Sequence, residues 1–349
     1  MGKSRLTIAL LAAMVLAAAQ GASAPPFAFV TNFIGGTVPV IDTARSTVTA
    51  TVGVGSGPVG VVVTPDGARA YVANPFSDTV SVIDTARNTV TATVGVGSGP
   101  VGVAVTPDGA RVYVTNTYDD TVSVIDTATN AVTAAVRVGG GPGGVAVTPD
   151  GARVYVANND GNTVSVIDTA RNTVTATVEV GSGPGGVAVT PDGTHVYVSN
   201  NESTTVSVID TARNAVTATV RVGRSPVGVT VTQDGAHVYV ANQASYTVSV
   251  IDTARNAVTA TVGVGVFPFG IAVTPDGTRV YVANNDSNTV SVIETARNAV
   301  TATLGVGVFP FGIAVTPDGS RVYVANEGSN TLSVIETATM RRPSRWGGE

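Results

Sequence analysis

Few residues in this chain could do chemistry, and their spacing decides how each is read. His195 and His237 are the only histidines, Lys3 is the only lysine, and cysteine is absent. A histidine pair can act in acid–base catalysis or ligate a metal. These two stand 42 residues apart, in the slot that Arg69, Arg111, Arg153, Arg279 and Arg321 hold elsewhere. They read as two substitutions at one surface-turn position, because a working pair should break the register and lie within hydrogen-bond reach of substrate. Without cysteine there is no thiolate nucleophile, zinc-thiolate site, disulfide or covalent haem attachment. Asp119, Asp120, Asp160, Glu202 and Asp286 could offer oxygens to Ca²⁺, which needs six or more in a dense pattern. The densest segment, Asn158-Asn159-Asp160-Gly161-Asn162, is also an ordinary turn sequence. No Gly-x-Ser-x-Gly elbow, His-Glu-x-x-His or phosphate loop occurs. The reading therefore assigns no catalytic residue, no metal ligand and no cofactor.

The aromatic departures are the stronger signal. Val266-Phe267-Pro268-Phe269 and Val308-Phe309-Pro310-Phe311 replace the Ser-Gly-Pro-Val found elsewhere, and Phe76, Tyr118 and Tyr246 stand in other variable loops. Loops on a rigid scaffold are the usual place for recognition. Phe267, Phe269, Phe309, Phe311, Phe76, Tyr118 and Tyr246 are accordingly the expected partner-binding residues. The alternative is that the Phe side chains fill a gap between structural units.

The elements that position these residues follow from a strict period. Tyr71, Tyr113, Tyr155, Tyr197, Tyr239, Tyr281 and Tyr323 each open Tyr-Val-(Ala/Ser/Thr)-Asn, with Phe29 one step upstream. A period of this length marks a repeat architecture. In residues 102–139, Gly102–Thr106 is a short apolar run closed by Pro107-Asp108-Gly109, whose residues preset a turn. Arg111–Thr115, Thr121–Ile125 and Ala131–Val136 follow as alternating runs. These four strands, A to D, form an antiparallel meander. Repeats of four short strands are propeller blades. Antiparallel order puts the B–C and D–A loops on one face, with the A–B and C–D turns on the other. The glycine in each A strand (Gly60, Gly102, Gly144, Gly186, Gly228, Gly270, Gly312) fits a crowded centre. The expected fold is an all-β, seven-bladed propeller, with eight blades as the alternative. Seven assumes that A from Gly312–Thr316 shares a blade with D from Thr47–Val54.

Residues 1–24 read as a signal peptide: Lys3 and Arg5, an apolar run from Leu6 to Ala19, then Ala22-Ser23-Ala24. The run is shorter than the roughly 20 residues a span needs. Residues 25–338 read as one propeller domain and 339–349 as a disordered tail. The formal charge of −5 becomes more negative once Lys3 and Arg5 are removed. An acidic chain without a basic run is a poor partner for nucleic acid. The Asp/Arg pairs of the C–D turns, such as Asp84 with Arg87, read as solvated turn stabilisers.

Tyr-Val-Ala-Asn, Thr-Val-Ser-Val-Ile-Asp and Gly-Pro-x-Gly-Val-Ala-Val-Thr-Pro-Asp-Gly together resemble the YVTN β-propeller repeat family over about residues 26–338. The resemblance implies an exported propeller in a surface-layer-like or cell-surface role, with an extracellular protein or cell-envelope component as partner. It implies no catalytic residue, and no transmembrane segment is expected in the mature chain. The expected function is thus a non-catalytic interaction scaffold. The alternative is a hydrolase or lyase of the lactonase or streptogramin-lyase kind, which needs a polar cluster at the mouth of the inner strands.

Overall fold

The computed structural model describes residues 15–17, 27–339 and 344–347. They form eight four-stranded antiparallel sheets, each a meander in chain order, so the fold is an all-β propeller of four-stranded blades. The blade count is eight, not seven. Thr47–Gly53 closes a first sheet whose opening strand is Val15–Ala17, and Pro310–Val315 opens an eighth sheet that Ser344–Gly347 completes. Both completing strands lack the repeat motif, so counting motifs undercounts the blades. Apart from Val15–Ala17, the leader expected over 1–24 lies outside the described residues. So does the tail expected over 339–349, apart from Thr339 and Ser344–Gly347. The chain divides into two compact units, Met1–Val145 and Ala146–Glu349, with the boundary inside the inner strand Pro142–Val147 of the fourth blade.

Each motif residue has a structural task. In the A–B turn, Thr106 Oγ1 and Ala110 N donate to Asp108 Oδ1 at 2.5 and 3.0 Å while Gly109 takes φ 72°. Those donors hold the Asp108 carboxyl below its usual range, the Thr106 hydroxyl foremost. In the C–D turn, Ala86 N and Arg87 N donate to Asp84 Oδ1, and Arg87 pairs with Asp84 from a largely exposed position. Such a pair contributes about 0–1 kcal/mol. The turn ends on an asparagine in the left-handed region (Asn88, Asn130, Asn214, Asn256), which asparagine tolerates better than most residues.

The motif Asn ties strand B to strand C: the buried Asn74 Nδ2 donates to Thr79 Oγ1 and to Ser81 Oγ at 3.0 Å. The motif Tyr ties one blade to the next. Tyr71 Oη donates to Asn130 Oδ1 at 2.9 Å within the first unit. In the second, Tyr155, Tyr197 and Tyr239 reach Asn214, Asn256 and Asn298 at 2.8, 2.7 and 3.1 Å. The core lies between blades. Tyr155, Val164 and Val166 of the fourth blade meet Val196, Val198 and Ile209 of the fifth. Tyr71, Val80 and Val82 of the second likewise meet Val112, Val114 and Ile125 of the third. Both faces of strands B and C are therefore buried, whereas strand D alternates between exposed and half-buried positions. Successive inner strands approach so closely that a Cβ on Gly186, Gly228 or Gly270 would overlap the carbonyl oxygen of Val227, Phe269 or Phe311.

Candidate functional site

The inner strands of the second unit begin at Pro184, Pro226, Pro268 and Pro310. Their second residues are Gly185, Val227, Phe269 and Phe311. Gly185 leaves open space where a side chain would stand, while Phe269 and Phe311 stack with centroids 3.9 Å apart and an interplanar angle of 30°. The starts of four neighbouring strands thus run from an open position to an aromatic ledge. Phe311 is buried and Phe269 half-buried, so the stack serves both as packing and as a partly open wall.

The two D–A loops bearing this ledge carry backbone strain. Phe267 and Phe309 take φ 59° and 52°, at the position where Gly57, Gly99, Gly141 and Gly183 take positive φ elsewhere. A bulky residue in the left-handed region costs about 1–3 kcal/mol and persists where its surroundings over-determine it. Phe309 is held by its own amide, which donates to Asn288 Oδ1 at 2.8 Å, and by its carbonyl, which accepts from Glu327 N at 2.9 Å. Its ring occupies the space that a side chain on Gly328 would need.

In the first unit the exchange is reversed. The Phe76 ring crowds Gly57, and Tyr118 crowds Gly99. Each of these loop pairs holds one bulky group, supplied by either partner. Phe76 also meets Phe33 edge-on at 5.5 Å. Phe76, Tyr118, Tyr246 and Phe309 are exposed at 64, 51, 44 and 48%, and Phe267 is half-buried. Of the seven expected residues, the structure brings Phe269 into ring contact with Phe311. Phe267 and Phe309 flank that pair in sequence. Phe76 and Tyr118 belong to the other unit.

Three of the acidic candidates do structural work. Asp119 Oδ2 accepts from Ser98 N at 2.6 Å, Asp120 Oδ1 from Gly141 N at 2.9 Å, and Glu202 Oε2 from Ser182 Oγ at 3.2 Å. These contacts join B–C loops to D–A loops. Among the described residues no group of three His, Cys, Asp or Glu side chains is assembled. His195 and His237 open strands B, and their backbone amides bond Thr190 and Thr232.

Glu327 is the group that the sequence reading passed over. Three of its equivalents are side-chain donors to the first carbonyl of the next inner strand: Thr117 Oγ1 to Pro142 O at 2.8 Å, Asn159 Nδ2 to Pro184 O at 3.2 Å and Asn285 Nδ2 to Pro310 O at 3.3 Å. An ionised carboxylate accepts and cannot donate, so Glu327 breaks that role. Its side chain makes no hydrogen bond among the described residues, and burial pushes its carboxyl above the usual glutamate range. A carboxyl raised by burial at a loop mouth is fitted to acid–base work. The signal was available as a departure from an Asn/Thr/Gln slot, but only the loop's variability was noted.

Comparisons with known proteins bear on the fold and on the class of function. A family model described as "Cytochrome D1 heme domain" matches residues 112–317, and one described as "Lactonase, 7-bladed beta-propeller" matches residues 40–177. No curated protein matches the chain. Among solved structures, a hydrazine synthase of Kuenenia stuttgartiensis superposes with a TM-score of 0.67 at 27% identity, covering 81% of this chain and 96% of that one. The dihydro-heme d1 dehydrogenase NirN in complex with DHE superposes at 0.78 with 17% identity, covering 96% and 78%. A functionally unknown protein from Desulfotomaculum acetoxidans superposes at 0.66 with 20% identity, covering 79% and 94%. At those lower identities the last two show the fold alone. The family matches and the hydrazine synthase likeness overturn the expected non-catalytic scaffold and favour the enzymatic alternative. They support a β-propeller family rather than a surface-layer type.

Proposed function

We propose that this chain, which belongs to the cytochrome D1 heme domain family and also matches a lactonase propeller model over residues 40–177, is an enzymatic propeller, a hydrolase that opens a lactone or related ester. The reaction is placed at the mouth of the second unit's inner strands. Glu327 is the acid–base group, and Phe269 with Phe311 forms the wall for the apolar part of the substrate. The observation that carries the reading is Glu327 itself, a half-buried carboxyl without a side-chain partner in the loop bonded to Phe309. As base, the Glu327 carboxylate takes a proton from water while the water oxygen bonds to the ester carbonyl carbon. As acid, it returns that proton to the alkoxide when the carbon–oxygen ester bond breaks. Such a positioned group contributes typically 10²–10⁴-fold in rate. The resemblance to the YVTN propellers and an extracytoplasmic location belong to the same proposal, supported by the repeat motif and the leader-like N-terminus.

The haem implied by the family's description does not fit the described residues. Haem iron takes His, Cys, Met or Tyr as axial ligand. The chain has no Cys, and Met1, Met14 and Met340 lie outside the described residues. Both His open B strands at the end away from Glu327, the seven motif Tyr are buried, the exposed Tyr118 and Tyr246 stand in loops of other blades, and the aromatic ledge is phenylalanine, with no ligating atom.

The test is a turnover screen of purified protein against γ- and δ-lactones and aryl esters, run with Glu327→Gln alongside. The proposal expects hydrolysis that falls at least 100-fold in the variant, with unfolding unchanged or shifted slightly upward. No turnover of any substrate, or equal turnover by the variant, would sink it.

A further inference from the structure

The far ends of three inner strands in the second unit form a second concavity, independent of the Glu327 mouth. It has a volume of about 350 Å³ and is walled by Ala146, Val147, Val189 and Val231, with Pro149 and Pro191 at its rim. Two of its lining residues break the repeat. Thr230 stands where Ala104, Ala146, Ala188, Ala272 and Ala314 stand elsewhere. Gln233 replaces the proline of Pro-Asp-Gly held by Pro65, Pro107, Pro149, Pro191, Pro275 and Pro317. Both departures fall in one inner strand and its turn, where every other repeat is apolar. They are also the exception to the rule that the inner strands are near-identical and carry no distinctive polar group.

The Gln233 substitution opens the rim. Elsewhere in this unit, each proline packs on the turn glycine of the next blade. A Cβ on Gly193, Gly235 or Gly319 would lie 3.4, 3.7 or 3.5 Å from Cδ of Pro149, Pro191 or Pro275. At Gly277, the partner of the Gln233 slot, nothing lies within 4 Å. The ring contact is lost, and a carboxamide takes its place. Neither Thr230 nor Gln233 makes a side-chain hydrogen bond among the described residues, so one hydroxyl and one amide are free to meet a ligand.

Charge around the concavity selects the ligand. The turn carboxylates Asp150, Asp192 and Asp234 stand at the ends of these same strands. Each is held below its usual pKa range by hydrogen bonds, first from Thr148, Thr190 and Thr232 and then from a backbone amide. They are ionised at neutral pH and already engaged as turn caps. Arg153 directs its guanidinium to the Thr211 carbonyl, and the next two equivalent positions are His195 and His237 instead of arginine. An anion would therefore meet three carboxylates and no free arginine at this latch position. A cation would be drawn not to the walls but to those carboxylates at the strand ends, which the turn hydroxyls already engage.

We infer that this concavity is a second binding site, for an uncharged ligand with a carbonyl group on a compact apolar body. Thr230 and Gln233 donate to the carbonyl, and the Val and Ala side chains line one side of the hydrocarbon. The site and its ligand do not depend on hydrolysis at Glu327. A methyl-resolved NMR titration tests it with three probes of similar size: ε-caprolactam, which is neutral; hexanoate, an anion; and hexylamine, a cation. Caprolactam should perturb the methyl signals of Ala146, Val189 and Val231 saturably, with each charged probe at least 10-fold weaker. The double variant Thr230→Ala, Gln233→Pro restores the repeat sequence and so preserves the fold. It should weaken caprolactam binding at least 10-fold. The inference is overturned by the absence of saturable shifts at those methyls, by equal binding of a charged probe, or by undiminished binding to the repeat-restored variant. Glu327→Gln should bind caprolactam unchanged, so failure here and failure of the hydrolase reading are read separately.

Discussion

Phe29 is the one break in the tyrosine series, and it leaves a specific defect. The tyrosine hydroxyl of one blade is donated to the turn asparagine of the next, 59 residues on. Asn88 is the partner that Phe29 would have, and its Oδ1 is buried without a hydrogen-bond partner. Phe29→Tyr should supply the missing donor, since seven equivalent tyrosines occupy the same register. A neutral hydrogen bond contributes about 0.5–1.5 kcal/mol net, and relief of an orphaned acceptor belongs at the upper end of that range. The reverse change, Tyr197→Phe, removes a 2.7 Å bond and leaves Asn256 Oδ1 in the state that Asn88 now has. It should cost about 1–3 kcal/mol. Urea unfolding followed by intrinsic fluorescence and far-UV circular dichroism reads both as a shift in the denaturation midpoint. Phe29→Tyr should raise the midpoint with an unchanged slope, and Tyr197→Phe should lower it. A destabilising Phe29→Tyr together with a neutral Tyr197→Phe would show that this inter-blade bond is not what the motif tyrosine provides.

Other consequences follow from the same frame. Arg279 Nη1 donates to Thr337 O at 2.8 Å, and Arg153 similarly latches to Thr211, but His195 and His237 stand in this slot without such a bond to Thr253 or Thr295. His195→Arg and His237→Arg should each add about 0.5–1.5 kcal/mol by restoring the latch, measured as a rise in Tm. Gly228→Ala should destabilise by about 1–3 kcal/mol, because its Cβ would overlap the Phe269 carbonyl. Gly263→Ala, with nothing within 4 Å, is the control. Burial pushes Tyr197 and Tyr239 up to about 12. Their folded pKa lies above the unfolded value near 10, so the stability they contribute is intact below pH 10 and is lost as pH climbs from there toward 12. Phenolate absorbance at 295 nm from these two should appear only near pH 12 or with unfolding. Titration of both near pH 10 in the folded state would refute their burial.

How much was legible depended on range along the chain. Strand order, turn residues and the crowded inner glycines follow from short-range chemistry, and the structure places each as the period requires. The Tyr–Asn and Arg–carbonyl ties span 59 and 58 residues, which strand patterns alone cannot assign. The blade count was misjudged because Val15–Ala17 and Ser344–Gly347 complete their sheets without carrying the motif. Phe267 and Phe309 were visible as departures, but their left-handed backbone was not, since it is set by loop contacts. Glu327, Thr230 and Gln233 were present in register. Thr230 and Gln233 are polar residues in slots that are otherwise apolar, and Glu327 is the one acid in a variable slot; aromatic variation is a blunter signal than either. The scaffold reading failed for a related reason. The repeat fixes the frame, while chemistry needs only one or two residues that depart from it.

The pH dependence of kcat/KM for lactone hydrolysis, measured on the wild type and on Glu327→Gln, tests the central claim most directly. Burial raises the Glu327 carboxyl, and its base form must accumulate for reaction. The wild-type profile should therefore rise along a limb centred above the ordinary glutamate range, and the variant should lose both that limb and at least 100-fold in rate. A wild-type limb at or below the ordinary glutamate value, or the same limb and rate in Glu327→Gln, would contradict the assignment of catalysis to this mouth.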